Sequence, residues 1–372
     1  TPVLDPELQL YSGRYFPRDN KINFGAFLDS CPDRWGRVLM SRRESALARQ
    51  EKRAPKNLLE SDYLLGVFDL HRMGGLRFKL NDDGNFLNDN PNMTVPPWTS
   101  LRQLEHASTQ FEQDKSDDRE YLKWINLLIA PGSSLGGARP KASVIDPKGH
   151  LWIAKFPSIN DEKDVGAWEM VVNILAKNAG IRTAISEAQK FNSNHHTYLT
   201  QRFDRNKKNE RIHFASAMTL LGHSDGAGSE TGVSYLELAE FIIKHGADVN
   251  SDLEELWRRI VFHICVKNTD DHLRNHGFLL ANSGWRLAPA FDINPNEFGT
   301  GLALNISEND NALSIDLALE VAAYFRVPPR KANQIIKRIH NSVNTWKDVA
   351  KKIGITRAAQ DRMKSAFEPK GN

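Results

Sequence analysis

The chain has 372 residues, 40% hydrophobic and 26% charged, with 49 Lys and Arg against 46 Asp and Glu for a formal net charge of +3. That length exceeds one ordinary core and predicts two or more packed lobes, while the composition excludes a disordered chain. The charge is too balanced to make nucleic acid the main ligand, and the basic runs RRESALARQEKR (42–53) and NKKNER (206–211) read as solvated faces or loops.

No run approaches membrane-spanning length, and TPVLDPELQL at the amino terminus lacks the basic and apolar regions of a signal peptide, so a cytoplasmic protein is expected. Cys31 and Cys265 fit reduced, structural thiols; two cysteines cannot build a zinc site alone.

Taken in chain order, DRWGRVLMSRRESALARQE predicts a helix and LRFKL (76–80) a short strand. A long loop follows at 81–100, then a helix at 101–113. KASVID and HLWIAKFP flank a Pro-Lys-Gly turn and predict a hairpin, entered from the glycine-containing PGSSLGGARPK. In DVGAWEMVVNILAKNAG, Val165, Trp168, Val172 and Leu175 fall at helical spacing with Gly180 as the stop. His195 and His196 lie in FNSNHHTYL, a hairpin loop without a third metal ligand nearby, and TYLTQRFDR ends a strand. The remainder is mainly helical. SDLEELWRRIVFHICVK opens with Ser251 and Glu254 in a capping-box arrangement, which sets NTDDHLRN (268–275) just past a helix end. GFLLANSGWRLAPAFD predicts a second hairpin, and helices at about 313–325, 330–346 and 355–367 close the chain. The domain division expected is 1–110, 111–205 and 206–372.

Alone, SSLGGARPK matches neither the Walker pattern nor GxGxxG and reads equally as a turn. Likewise, Asn and Asp collect at helix ends because their side chains satisfy free backbone groups, which is the plain reading of NTDDHLRN. Order changes the weighing. A glycine loop, Lys155 on a strand, Glu169 on the next helix, Asp270 with Asn275 five positions later, and Asp292 after a hairpin follow the sequence of parts used by protein kinases. A nucleoside triphosphate needs a backbone cradle and a cation, which residues 134–141 and Lys155 can supply. Lys155 shares its face with Leu151 and Ile153, so it points to a cleft or snorkels out; Glu169 either holds it extended or is an ordinary exposed helix acid. Asn275 and Asp292 offer the hard oxygens that magnesium prefers. Asp270, not Asp271, has the spacing of a proton-accepting carboxylate, and His272 is expected to brace the loop by hydrogen bonding.

Together SSLGGARPK, WIAKFPS, WEMVVNILAKNAGI, YLTQRFDR, NTDDHLRNHGFLL and WRLAPAFDI resemble the HipA family of serine/threonine kinase toxins. FGAFLDSCPDRWGRVLMSRRE and YLLGVFDLHRMGGLRF are similar to that family's first subdomain, although the chain begins late against the family pattern, without its first strands. The resemblance implies a two-lobed, protein-kinase-like fold with an α/β amino-terminal part and a mainly helical carboxyl-terminal lobe. It implies ATP and Mg2+ as cofactors, Asp270 as proton acceptor, Lys155 paired to Glu169, and Asn275 and Asp292 as metal ligands. Gly136, Gly137, Ala138, Arg139, Pro140 and Lys141 would form the phosphate loop, with Gln201, Arg202, Phe203 and His272 also on the nucleotide; Gln201 stands where the best-known members have an acid. Ser134, or the adjacent Ser133, would be the inhibitory autophosphorylation site. The implied partners are a helix-turn-helix, HipB-like antitoxin, DNA mainly through that antitoxin, and a protein substrate such as a translation factor or aminoacyl-tRNA synthetase. The competing functions are a small-molecule or lipid phosphotransferase, or a nucleotide-binding scaffold acting with an antitoxin on DNA.

Overall fold

The computed structural model describes residues 3–18, 21–90, 95–113, 122, 124–126, 128, 137 and 139–368. They form two compact units, one of Ser12–Gly166 and Ile185–Phe214, the other of Thr1–Tyr11, Ala167–Ala184 and Ala215–Asn372.

The first unit carries helices α1 (Gly25–Leu28), α2 (Arg34–Gln50), α3 (Glu60–Gly66) and α4 (Leu101–Gln113). Its four strands, β1 (Lys141–Ile145), β2 (Leu151–Lys155), β3 (Ser186–Gln189) and β4 (Thr197–Gln201), make an antiparallel sheet in the order β1-β2-β4-β3. Leu101, Leu104, Ala107 and Phe111 recur at helical spacing and bury α4 against Trp35, Ala142, Val144, Trp152, Ala154 and Leu199. Because strand side chains alternate, the residues at even positions of β1 and β2 face this core, and Lys141 and Lys155 lie on the opposite face. Buried Glu105 of α4 accepts from Thr197 Oγ1 at 2.7 Å and from the amides of Asn192 and Ser193 at 2.8 Å, fixing the β3–β4 loop. In that loop His196 Nδ1 lies 2.6 Å from Asp164.

The strand expected at LRFKL is reduced to one isolated bridge, Phe78 to Leu87. Its neighbours bear on this: Gly74 turns at φ +71 where a Cβ would strike the Phe214 backbone nitrogen at 2.8 Å, and although Phe78 packs edge-on against Phe27 at 5.8 Å, Leu76 and Phe78 are only half-buried and Leu80 is 83% exposed, so the apolar face ends within the segment.

The second unit holds α5 (Val165–Asn178), α6 (Ala217–Leu220), α7 (Tyr235–His245), α8 (Val249–Val266), α9 (Ile315–Glu320), α10 (Pro329–Val343), α11 (Trp346–Ile353) and α12 (Arg357–Phe367). A three-stranded sheet runs β5 (Phe214–Ser216), β6 (Gly277–Ala281), β7 (Gly284–Leu287). Helix α8 lies in the middle of the core, with Leu253, Leu256, Trp257, Ile260, Val261 and Phe262 all buried. It begins earlier than expected, with Asp248 as its N-cap, so Ser251 falls inside the first turn and the expected Ser251–Glu254 capping box is not the helix start. The last third also departs from expectation. The helix expected at 313–325 divides into α9 and a 3-10 turn, and α11 forms as an additional helix ending at Gly354, φ +93. Among the described residues no helix is long and apolar enough to cross a membrane.

Candidate active site

In the second unit, α8 stops at Lys267, whose φ of +49 turns the chain out of the helix. The loop that follows is ordered by its own asparagines. Asn275 Nδ2 donates to the Asp270 carbonyl at 2.8 Å, and the Asn275 amide donates to the His272 carbonyl at 2.8 Å. Asn275 Oδ1 is buried and accepts no hydrogen bond from the described residues. A buried amide oxygen left this way wants a donor or a cation.

Asp270 and Asp271 are adjacent but have opposite surroundings. Asp270 is exposed, and its carboxyl is raised above the usual aspartate value by partial withdrawal from water, with nearby His272 pulling it back and Asp292 and Asp271 pushing it up. Asp271 is buried, which alone would raise it, but His263 and His276 hold it well below the ordinary value. Its Oδ2 accepts from Tyr235 Oη at 2.5 Å, and lies 2.6 Å from His263 Nδ1 and 2.9 Å from His276 Nε2.

Asp292 sits at φ +56 just after Ala290, whose backbone bridges Thr183. The segment beyond it is stapled to the loop: the Asn294 amide donates to Asn268 Oδ1 at 3.1 Å and Asn296 Nδ2 to Thr269 Oγ1 at 2.8 Å. Asn294 Nδ2 also donates to Asp292 Oδ1 at 3.2 Å. The structure therefore brings Asp270, Asn275 and Asp292 into one electrostatic neighbourhood. His272 departs from expectation. Its buried Nδ1 has no hydrogen-bond partner among the described residues, and its carbonyl, not its ring, holds Asn275.

In the first unit, Lys155 is buried at the end of β2, its ammonium 5.6 Å from the centre of the Tyr198 ring. Lys141 is its register partner on β1, and Lys141 Nζ reaches Asp33 Oδ2 at 2.6 Å and the Gly137 carbonyl at 3.2 Å. Arg139 forms a two-pronged ion pair with Asp161, and the Pro140 carbonyl takes the Phe156 amide at 2.8 Å. Gly137 turns at φ +35, with no described residue within 4 Å of where a side chain would stand. Ser133, Ser134, Gly136 and Ala138 lie outside the described residues. After β4, the Gln201 amide donates to the Ile185 carbonyl at 2.8 Å. The Arg202 guanidinium is fully buried against Asp204 and the His71 and Arg72 carbonyls, and Phe203 packs on Phe214. The Arg202 side chain is thus committed to the protein, leaving its backbone for any ligand. Glu169 in α5 is 3% exposed, which removes its reading as an ordinary surface acid.

Residues 133–346 match the family of HipA-like C-terminal domains. The chain belongs to that HipA-like family. A Haemophilus influenzae relative, whose name assigns it only provisionally as a kinase, is 28% identical over 179 residues, 43% of this chain and 52% of the relative. The match spans about half of that relative's length. The HipA toxin–antitoxin assembly of Shewanella oneidensis MR-1, solved with HipB and operator DNA, superposes with a TM-score of 0.59 at 16% identity, covering 92% of this chain and 82% of that one. At that identity the likeness speaks for the fold alone: two-lobed and protein-kinase-like, with an α/β amino-terminal part and a mainly helical carboxyl-terminal part.

Two features of the HipA-like chain escape a linear reading. The Tyr235–His263–His276 set converging on Asp271 comes from three separate elements, and Asp33 is far in sequence from the Lys141 it holds. The clustering of histidines around NTDDHLRN was the only local sign of the first.

Proposed function

We propose that this chain is an ATP- and magnesium-dependent serine/threonine protein kinase and the toxin of a HipA-type toxin–antitoxin pair. The observation that carries this reading is Asn275: one end of its amide anchors the Asp270 backbone while the other is a buried oxygen with no hydrogen-bond partner among the described residues, and the Asp270 carboxyl feels the charge of Asp292. That donor set fits Mg2+, a hard cation that keeps several water and phosphate oxygens and needs few protein ligands. Asn275 and Asp292 would hold the ion, which would neutralise phosphate charge when bound.

The chain's own groups have distinct tasks in this reading. Asp270, exposed and with a raised pKa, orients the substrate hydroxyl and takes its proton. Lys155, extended by Glu169, binds phosphate oxygens; Gly136 to Lys141 form the cradle; the backbone of Gln201 to Phe203, together with His272, serves the nucleotide. Ser134 or Ser133 is the inhibitory autophosphorylation site. The protein works in the cytoplasm, bound and silenced by a small helix-turn-helix antitoxin that tethers it to operator DNA, as the HipA–HipB–DNA assembly suggests. Its protein substrate belongs to the translation machinery, a translation factor or an aminoacyl-tRNA synthetase.

Incubation with radiolabelled ATP, first of the purified chain and then of a dialysed cell extract, tests the reading. Label should enter protein, on serine or threonine, only with Mg2+ present. Label confined to small molecules or lipid would replace protein kinase by another phosphotransferase.

A further inference from the structure

We propose that Asp271 is a positioning residue that sets Asp270 for phosphoryl transfer by tying both ends of the 267–276 loop to one buried oxygen. The inference rests on the kinase reading above. His263 belongs to the last turn of α8, before the loop; His276 directly precedes β6, after it; Tyr235 opens α7. All three reach Asp271 Oδ2, at 2.6, 2.9 and 2.5 Å. The four residues are 0–2% exposed, so water offers no substitute partner. Their rings are packed as well: Tyr235 meets His276 edge-on at 5.6 Å, and His263 and His276 lie 6.4 Å apart.

The consequence for the neighbouring residue is geometric. With the Asp271 side chain held inward, the exposed Asp270 is presented on the outer side of the loop, and its carbonyl is fixed by Asn275. A catalytic carboxylate displaced by about 1 Å can lose on the order of 10²-fold in rate. Because Asn275 and His272 belong to the same loop, loosening it acts on turnover and on magnesium-dependent nucleotide binding alike.

The experiment compares wild type with Asp271→Asn and Tyr235→Phe, the second removing one donor and so remaining informative if the first fails to fold. Asp270→Asn is the inactive control. Expected are a fall in kcat on the order of 10²-fold for Asp271→Asn and a smaller fall for Tyr235→Phe. Hydrogen exchange should rise over residues 267–276 and stay unchanged elsewhere. A kcat per folded molecule equal to wild type, or a loss matched by the unfolded fraction, overturns the positioning role. Unchanged loop exchange overturns the clamp whatever the activity. A wild type that transfers no phosphate, yet whose loop loosens in the variants, leaves the clamp standing and removes the kinase reading.

Discussion

Lys141 Nζ lies 2.6 Å from Asp33 Oδ2, with side chains only 1% and 6% exposed. Asp33 also caps α2 by accepting the Gly36 amide at 2.8 Å. Burial pushes the Asp33 carboxyl up, and Lys141 draws it back. Since Lys141 and Lys155 are direct register partners, the pair also removes a like-charge contact from the face that carries Lys155. Breaking one side of a buried pair is costly because the other charge stays uncompensated. Asp33→Ala should therefore destabilise the protein by about 3–5 kcal/mol, read from denaturant midpoints. The double variant Asp33→Ala/Lys141→Met should recover most of that loss. Equal stabilities for both variants would show that the uncompensated lysine is not the cause.

Separating the roles of two carboxylates is the direct check on the chemistry. Asp270→Asn should reduce kcat by about 10²–10⁴-fold with ATP affinity nearly intact. Asp292→Ala should weaken nucleotide binding only when Mg2+ is present, measured by calorimetry with and without the metal. Retained turnover in Asp270→Asn would mean that the base is assigned wrongly.

Ser134 adds a regulatory prediction. In the proposed phosphate loop, a phosphate on Ser134 would add about two negative charges against those of ATP, so the modified protein should be inactive. Peptide mass spectrometry after incubation with ATP should find the modification on Ser134 or Ser133 and lose it in the doubly substituted alanine variant. Modification confined to residues outside 133–143 would count against the scheme.

His213 sets a pH dependence on stability. Burial lowers its imidazole from 6.5 to about 4, while its Nδ1 takes a weak bond from the Gly75 amide at 3.4 Å. The unfolded chain therefore binds more protons than the folded one between those values, so stability rises with pH across that window. The contribution is fully present above pH 6.5 and is lost as pH falls toward 4. Between pH 7 and pH 4.5 the wild type should lose about 1–3 kcal/mol more than His213→Gln, measured by urea unfolding at each pH.

Much of the local architecture was legible because it is written in short-range patterns. The helix at 101–113 and the hairpin of KASVID and HLWIAKFP follow from apolar spacing and a turn. Where expectation and structure part, tertiary context decides. LRFKL has strand composition but a face only partly buried, ending at exposed Leu80, and Ser251 with Glu254 has capping composition inside a helix that starts at Val249. Helix α11 was available in the spacing of Trp346, Val349 and Ile353 before Gly354. For the candidate site, the interval between Asp270 and Asn275 is local and readable. The Asp271–Tyr235 bond spans 36 residues and the Asp33–Lys141 pair 108, and no periodicity in the chain announces either.

Gly299 tests the coupling between the Asp292 segment and the catalytic loop. A Cβ at Gly299 would meet Thr269 Cγ2 at 2.3 Å and Oγ1 at 2.8 Å. The contact is closer than side chains tolerate, and Thr269 directly precedes Asp270 while holding Asn296 through its hydroxyl at 2.8 Å. Gly299→Ala must therefore push Thr269 or its own segment aside, at a cost of about 1–3 kcal/mol for overpacking. Thr269→Ser deletes the nearer atom and keeps the hydroxyl that Asn296 needs. The combination Gly299→Ala/Thr269→Ser should accordingly regain stability and turnover relative to Gly299→Ala alone, with a non-additive interaction energy in a double-mutant cycle. Strict additivity of the two substitutions would mean that the segments do not press on one another through this contact.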